Sequence, residues 1–237
     1  MYVFAIALAV SGSSRPTIRS LRTLRGWHWE DITTHLSGIR ALQRANHPSR
    51  PTVLEGEGFV TLEHSLDMLK ELTMLAPQFV ALSPLDGSVI GYTLTIDPRA
   101  LRAGLASAGL HACYEPFFSM IERLEWEGAA LDDSRWVMGG QCCVAAGWRR
   151  QGLMRRLYDA QAQALALEDE RLLLSGTPLT SASAVVTAID TANVPSARAH
   201  ERAGFVEIGR YSYAERPSLS SRGGDVDGWS IVLRPTG

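Results

Sequence analysis

The stretch VAAGWRRQGLMRRLYDAQ, residues 144–161, decides how the chain is read. Ahead of it, WVMGGQCCVA at 136–145 has the character of a strand. Within and beyond it, Met154, Tyr158, Ala162 and Leu165 recur at steps of four, four and three, which puts them on one face of a helix. Between strand and helix lies the basic turn Trp148-Arg149-Arg150-Gln151-Gly152. A helix N-terminus presents N–H groups that have no intrahelical acceptor, and its dipole adds positive potential, so a strand, turn and helix in this order make an anion site. Arg149 and Arg150 bring charge to it, and Gly152 leaves room for close approach. The same residues also read as a solvated turn in which Gly152 merely permits the bend.

Downstream, SAVVTAI at 183–189 reads as a strand, followed by a short helix that starts near Pro195 and ends at Gly204. FVEIGRYSY and WSIVL are closing strands on either side of a polar, Gly-rich loop, 215–228. Upstream, residues 17–24 suit a strand. Ile32, Leu36, Ile39 and Leu42 mark a helix within 27–46, and Leu62, Leu66, Leu69 and Leu72 mark a second after the connector 47–58. FVAL and VIGYTLTI flank Ser83-Pro84-Leu85-Asp86-Gly87-Ser88 as a hairpin. Residues 98–134 interrupt this order; they read as a helical excursion with a ligand-facing loop at Tyr114-Glu115-Pro116-Phe117-Phe118. Strand and helix alternate in the second half, which predicts a mixed α/β sheet.

Composition narrows the function. With 237 residues and a formal net charge of −2, the chain can bury a core of its own and lacks the basic excess of a general nucleic-acid binder. Its one lysine, Lys70, follows Leu69 and not a glycine, which excludes a phosphate-binding P-loop. Cys113, Cys142 and Cys143 cannot form an even disulfide framework, so a reducing, cytoplasmic setting is expected. The apolar opening MYVFAIALAV has no basic residue before it and is too short to span a bilayer; a tail or a first strand is expected there, and no membrane association. The six histidines show no metal-ligand spacing, so no metal is expected. Gly56-Glu57-Gly58 misses a dinucleotide fingerprint, no GxSxG elbow occurs, and nothing near the cysteines supports a thiol nucleophile.

Residues 144–161 resemble motif A of the GCN5-related N-acetyltransferases, Gln/Arg-x-x-Gly-x-Gly/Ala, with Arg149, Gly152 and Met154 at the defining places. Met154 departs from the small residue usual at the last of them. NVPSARAHERAGF, residues 193–205, resembles the family's motif B, and the upstream hairpin and two closing strands match its order. The resemblance implies an α/β fold with a mixed, mostly antiparallel central sheet flanked by helices. It places an extension or extra strand at 1–16 and a single domain at 17–237 with an insertion at 98–134. It implies an acetyl-CoA-dependent N-acetyltransferase in which a primary amine, of a small molecule by preference, attacks the thioester directly in a ternary complex. A non-catalytic acyl-CoA-binding sensor or interaction module on the same fold is the alternative.

By the same resemblance, the N–H groups of Arg150, Gln151, Gly152, Leu153, Met154 and Arg155 would hold the pyrophosphate beside Arg149. Val144 would pair with pantetheine as an added strand would, Asn193 would contact the pantetheine arm, and the Cys142 N–H would polarise the thioester carbonyl. His200 stands where many relatives carry a proton-donating tyrosine. Its imidazolium could protonate the leaving thiolate, or it could be a packing residue. Glu115 reads either as a general base in the acceptor pocket or as a solvated loop carboxylate. Tyr114 and Phe118 could line that pocket or the core, and Gln141 could orient the acceptor or be a satisfied strand amide. Acetyl-CoA and an amine are the expected partners, without nucleic acid; a homodimer is compatible with the sequence.

Overall fold

Continuous runs of buried residues along the central strands point to alternate sides and give one sheet two buried faces, and each face takes a different set of helices. The computed structural model describes residues 15–21, 29–49, 57–132, 136–174, 182–212 and 228–236. In chain order these form β1 (Thr17–Leu21), α1 (Trp29–Ala45), α2 (Leu66–Leu75), β2 (Gln78–Leu82), β3 (Val89–Ile96), α3 (Pro98–Arg102) and α4 (Ala108–Ile121). There follow the short strands β4 (Glu125–Trp126) and β5 (Ala129–Ala130), then β6 (Trp136–Val144), a 3-10 turn at Ala146–Trp148 and α5 (Leu153–Leu174). The chain closes with β7 (Ala184–Asp190), α6 (Val194–Arg202), β8 (Val206–Ser212) and β9 (Gly228–Pro235).

Seven strands pair in the order β1-β2-β3-β6-β7-β9-β8, and every pairing is antiparallel except β6 with β7. The sheet is therefore mixed and mostly antiparallel. On one face α1, α2 and α4 cover Tyr92, Leu94, Met138, Val186 and Ile231. On the other, α5 and the end of α6 pack through Leu157, Tyr158 and Phe205 onto Ala81, Val137, Val185 and Val232. Among the described residues, no helix is long and apolar enough to cross a membrane.

Two local expectations change. The stripe that begins at Leu62 becomes helical only from Leu66, because the Ser65 hydroxyl accepts the Met68 N–H at 3.1 Å and caps the helix there. The segment Tyr114–Phe118 is not a loop but part of α4. Ser107 caps that helix, and Leu110, Tyr114, Phe118 and Ile121 bury one stripe of it, while Pro116 removes a single backbone donor. Of the expected N-terminal extension, residues 1–14 lie outside the described residues; so do 22–24 of the first strand and most of the 215–228 loop.

A bulge interrupts β6 near its middle. Its register with β3 shifts between Leu94 and Thr95, which leaves Gly140 as the extra residue. A Cβ at Gly140 would lie 2.6 Å from Ile96 Cγ1, so only glycine fits there without displacing the core.

Candidate active site

β6 and β7 pair at only three positions, Trp136↔Ala184, Val137↔Val185 and Met138↔Val186. Beyond them the strands run on to Val144 and Asp190 without pairing, and a cleft opens between them. At its apex the Thr187 hydroxyl donates to the Gly139 carbonyl at 2.7 Å. The parity of the β3–β6 ladder decides what β6 offers to the cleft. Ala145 N–H bonds Ile90 O at 2.8 Å, so by alternation Cys143 and Gln141 direct their backbone groups at β3, and Cys142 and Val144 direct theirs into the opening. Cys142 borders a cavity lined by β6, β7, α6, α4 and the segment Phe59–Leu62, and Val144 follows it along the same edge of β6.

The anion turn lies just past the end of β6. Arg150 and Gly152 have φ of 61° and 72°, which turns the chain sharply into α5. From Arg150 to Arg155, six successive N–H groups have no acceptor among the described residues. Open space lies where a Gly152 Cβ would be. Met154 does not obstruct this surface, because its side chain packs into the core beside α5. Arg149 departs from its expected place beside the anion. Its guanidinium folds back to Val144 O at 3.1 Å, Glu57 Oε2 at 2.8 Å and Asn46 Oδ1 at 2.5 Å. Its charge is thereby balanced by a carboxylate, and it serves to tie the turn to the end of α1. Arg155 reaches toward Asp159 at 3.9 Å from an exposed position.

Asn193 borders the cavity, but its amide is engaged: Oδ1 caps α6 by accepting from Ser196 N–H at 3.3 Å, and Nδ2 donates to Phe59 O at 2.7 Å. Gln141 is a satisfied strand amide, not an acceptor-orienting one. Its Oε1 takes the Tyr92 hydroxyl and Gln43 Nε2, and its Nε2 donates to Leu62 O at 3.0 Å. Phe118 is fully buried between Tyr114 and Trp136, so it belongs to the core; its neighbour Phe117 lines the cavity instead. Glu115 lies outside the cavity. Arg102 grips it through two bonds of 2.9 and 3.2 Å, with His111 at 3.3 Å, which holds the carboxylate below its usual range despite partial burial. A carboxylate so paired is a poor base, and the ligand-facing reading of Glu115 is set aside with the loop that suggested it.

Two buried histidine–tyrosine pairs flank the cleft, with opposite polarity. In the first, His200 Nδ1 lies 2.8 Å from Ser196 O, which can only accept, so Nδ1 carries the proton. Nε2 then accepts from the Tyr158 hydroxyl at 3.0 Å. Burial lowers the His200 pKa to about 4, so the ring is neutral near pH 7 and not the imidazolium that a stored-proton donor requires. In the second, His64 N–H donates to Gln43 Oε1 at 3.0 Å and so fixes that amide. Gln43 Nε2 therefore faces His64 Nδ1 at 2.9 Å as a donor, the ring proton sits on Nε2, and Nε2–H donates to the Tyr114 oxygen at 2.5 Å. The Tyr114 proton is left to point elsewhere, and its ring lines the cavity. Sequence reasoning weighed His64 only as a metal ligand and passed over Gln43. Cys142 and Cys143 are both pushed up by burial, the latter to about 12, so neither is a thiolate at neutral pH.

Both histidines stay neutral in the fold and gain a proton on unfolding at acid pH, since burial also lowers His64 to about 4. Their contribution is complete above the unfolded value near 6.5 and is lost as the pH falls toward 4, at most about 3 kcal/mol per histidine. Urea midpoints measured between pH 7.5 and 5 should fall steadily, and His64→Gln should flatten that slope. An unchanged slope in that variant would show that His64 is solvated.

Compared with solved structures, the chain overlays Arabidopsis thaliana NAA60, crystallised with a bisubstrate analogue, at a TM-score of 0.51 and 11% identity, over 93% of this chain and 98% of that one. The ribosomal-protein-S18-alanine N-acetyltransferase from Escherichia coli overlays at 0.50 and 12% identity, over 94% of each chain. The fold is that of the GCN5-related N-acetyltransferases. No protein-family model and no curated protein matches the sequence, so the likeness lies in the fold. The parting of β6 from β7, the bulge at Gly140 and the turn into α5 together shape the opening between the two strands.

Proposed function

We propose that the protein is an acetyl-CoA-dependent N-acetyltransferase that acylates a primary amine of a small molecule in a ternary complex. The observation that carries this reading is the cleft itself: among the described residues, the N–H groups of Cys142 and Val144 and the six from Arg150 to Arg155 have no acceptor, and they follow one another along the chain from β6 into α5. A pantothenyl chain ending in a pyrophosphate needs that sequence of donors. The turn would hold the diphosphate, and the Val144 N–H would pair with an amide of the chain. Cys142 N–H would meet the thioester oxygen and hold the negative charge that builds on it as the amine attacks. One C–N bond forms and one C–S bond breaks; the amine sheds a proton, and the departing thiolate takes one up. Neutral His200 has its only proton on the nitrogen turned to Ser196, so that proton comes from the amine or from solvent.

The non-catalytic alternative has one observation in its favour: neither His200 nor Glu115 offers a ready acid or base at the cleft. Calorimetry with acetyl-CoA, followed by free-thiol release across a panel of amines, separates the readings. Saturable binding with release that rises with amine concentration is the expected result. Binding without release would establish the sensor, and absence of binding at millimolar ligand would overturn both.

A further inference from the structure

Resting on the N-acetyltransferase reading, we infer that Arg149 is a positioning residue for the amine and not a ligand of the cofactor: through Glu57 and Asn46 it holds the stretch of chain that walls the amine's side of the cavity. On that reading the pantothenyl chain would run from the turn past Val144 to Cys142, and the amine would approach the thioester from the rest of the cavity that Cys142 borders. Four successive residues, Phe59, Val60, Thr61 and Leu62, wall this space. They belong to no helix or strand, so no ladder fixes them.

Side chains and a helix end place the backbone of this stretch instead. In its downstream half, Gln141 Nε2 donates to Leu62 O at 3.0 Å, and His64 N–H donates to Gln43 Oε1 at 3.0 Å. In its upstream half, Asn193 Nδ2 donates to Phe59 O at 2.7 Å, and Val60 N–H donates at 3.1 Å to the carbonyl of Asn46, the residue that follows α1. Asn46 is itself held at both ends of its amide: Nδ2 donates to Leu42 O at 2.8 Å, and Oδ1 accepts from Arg149 at 2.5 Å. Arg149 also grips Glu57, at the start of the wall, at 2.8 Å, and the Val144 carbonyl at 3.1 Å. One guanidinium thus joins the end of β6, the end of α1 and the start of the wall. Each of its three nitrogens takes a different partner, an arrangement that suits the planar fork of arginine and that the compact ammonium of lysine cannot reproduce. The strand that would carry the thioester and the wall that would carry the amine are therefore set against each other through this one side chain. Its place in the sequence, beside the anion turn, conceals that role.

The test compares the full chain with Arg149→Ala, Arg149→Lys and Glu57→Ala. Calorimetry should find acetyl-CoA affinity within about threefold of the original in all three, since none removes an N–H group of the turn. Thiol release at saturating acetyl-CoA is measured with the fastest-reacting member of an amine panel that includes 2-phenylethylamine, tryptamine, glycinamide and spermidine. Its kcat/KM for the amine should fall by about ten- to a hundredfold in each variant, the cost of a misplaced reactant. The double variant Arg149→Ala/Glu57→Ala should lose little more than either single one, because both break the same tie. Amide exchange read residue by residue needs no amine: in Arg149→Ala the Val60 N–H should exchange at least about tenfold faster, while the His64 N–H, tied to Gln43, keeps its rate. A merely destabilised fold would speed both. A tenfold loss of acetyl-CoA affinity in Arg149→Ala, recovery of activity in Arg149→Lys, an additive double variant, or Val60 exchange that is unmoved or moves together with His64 overturns the inference. Release that none of the variants lowers also overturns it and leaves the N-acetyltransferase reading standing; no release with any amine overturns both.

Discussion

Gly152→Asp should cost acetyl-CoA affinity about a hundredfold or more while the protein stays folded. Gly152 has φ of 72°, a conformation that aspartate tolerates better than most residues, and open space surrounds the place its Cβ would take. The folding penalty is therefore limited to about 1–2 kcal/mol of left-handed backbone. The carboxylate would stand among the free N–H groups of Arg150 to Arg155 and occupy them as an internal anion. A pyrophosphate must then displace it or forgo at least two charge-assisted hydrogen bonds of about 1.5–3 kcal/mol each, which sets the expected loss. Gly152→Ala carries the same backbone strain without the charge and should lose less than about tenfold. Arg149→Ala should also have a modest effect, because its guanidinium is spent on Val144, Glu57 and Asn46 and not on the open side of the turn. Titration calorimetry at fixed ionic strength separates the three. Equal losses for Gly152→Ala and Gly152→Asp would mean that the turn's shape, and not its open N–H groups, governs binding.

What the sequence disclosed and what it concealed divide by the separation between interacting residues. The strand, turn and helix around residues 136–165 were readable because each signal is local: a run of apolar residues, a glycine at the bend, a stripe at helical spacing. The cleft's anion side could therefore be expected. The side around Gln141 and Tyr114 could not, since the Gln43–Gln141 bond joins residues 98 positions apart and the His64–Tyr114 bond residues 50 apart. Arg149 was misplaced for the same reason; the carboxylate that draws its charge away lies 92 residues earlier. Glu115 is different, because the information was present in Leu110, Tyr114, Phe118 and Ile121. That helical stripe runs through Pro116, since a proline within a helix removes one donor and leaves the buried face intact.

Removing the backbone N–H at Cys142 should lower kcat by about a hundred- to a thousandfold with much less effect on acetyl-CoA affinity, as for the loss of one oxyanion donor. The ladder makes this substitution unusually clean. Because Ala145 bonds Ile90 and the pattern alternates, the Cys142 N–H is directed at the cleft and takes no part in the bonds to β3. Replacing residue 142 by the α-hydroxy acid of the same side chain puts an ester oxygen where the N–H stands, without touching the thiol, which packs half-buried beside α5 and is neutral. The same replacement at position 143 removes an N–H that faces β3 and should reduce stability by about 0.5–1.5 kcal/mol while leaving kcat near its original value. The two esters therefore exchange their effects: one is catalytic without being structural, the other structural without being catalytic. Should both lower stability and neither lower kcat, the parity assigned to β6 would be wrong, and with it the placing of the thioester oxygen against Cys142.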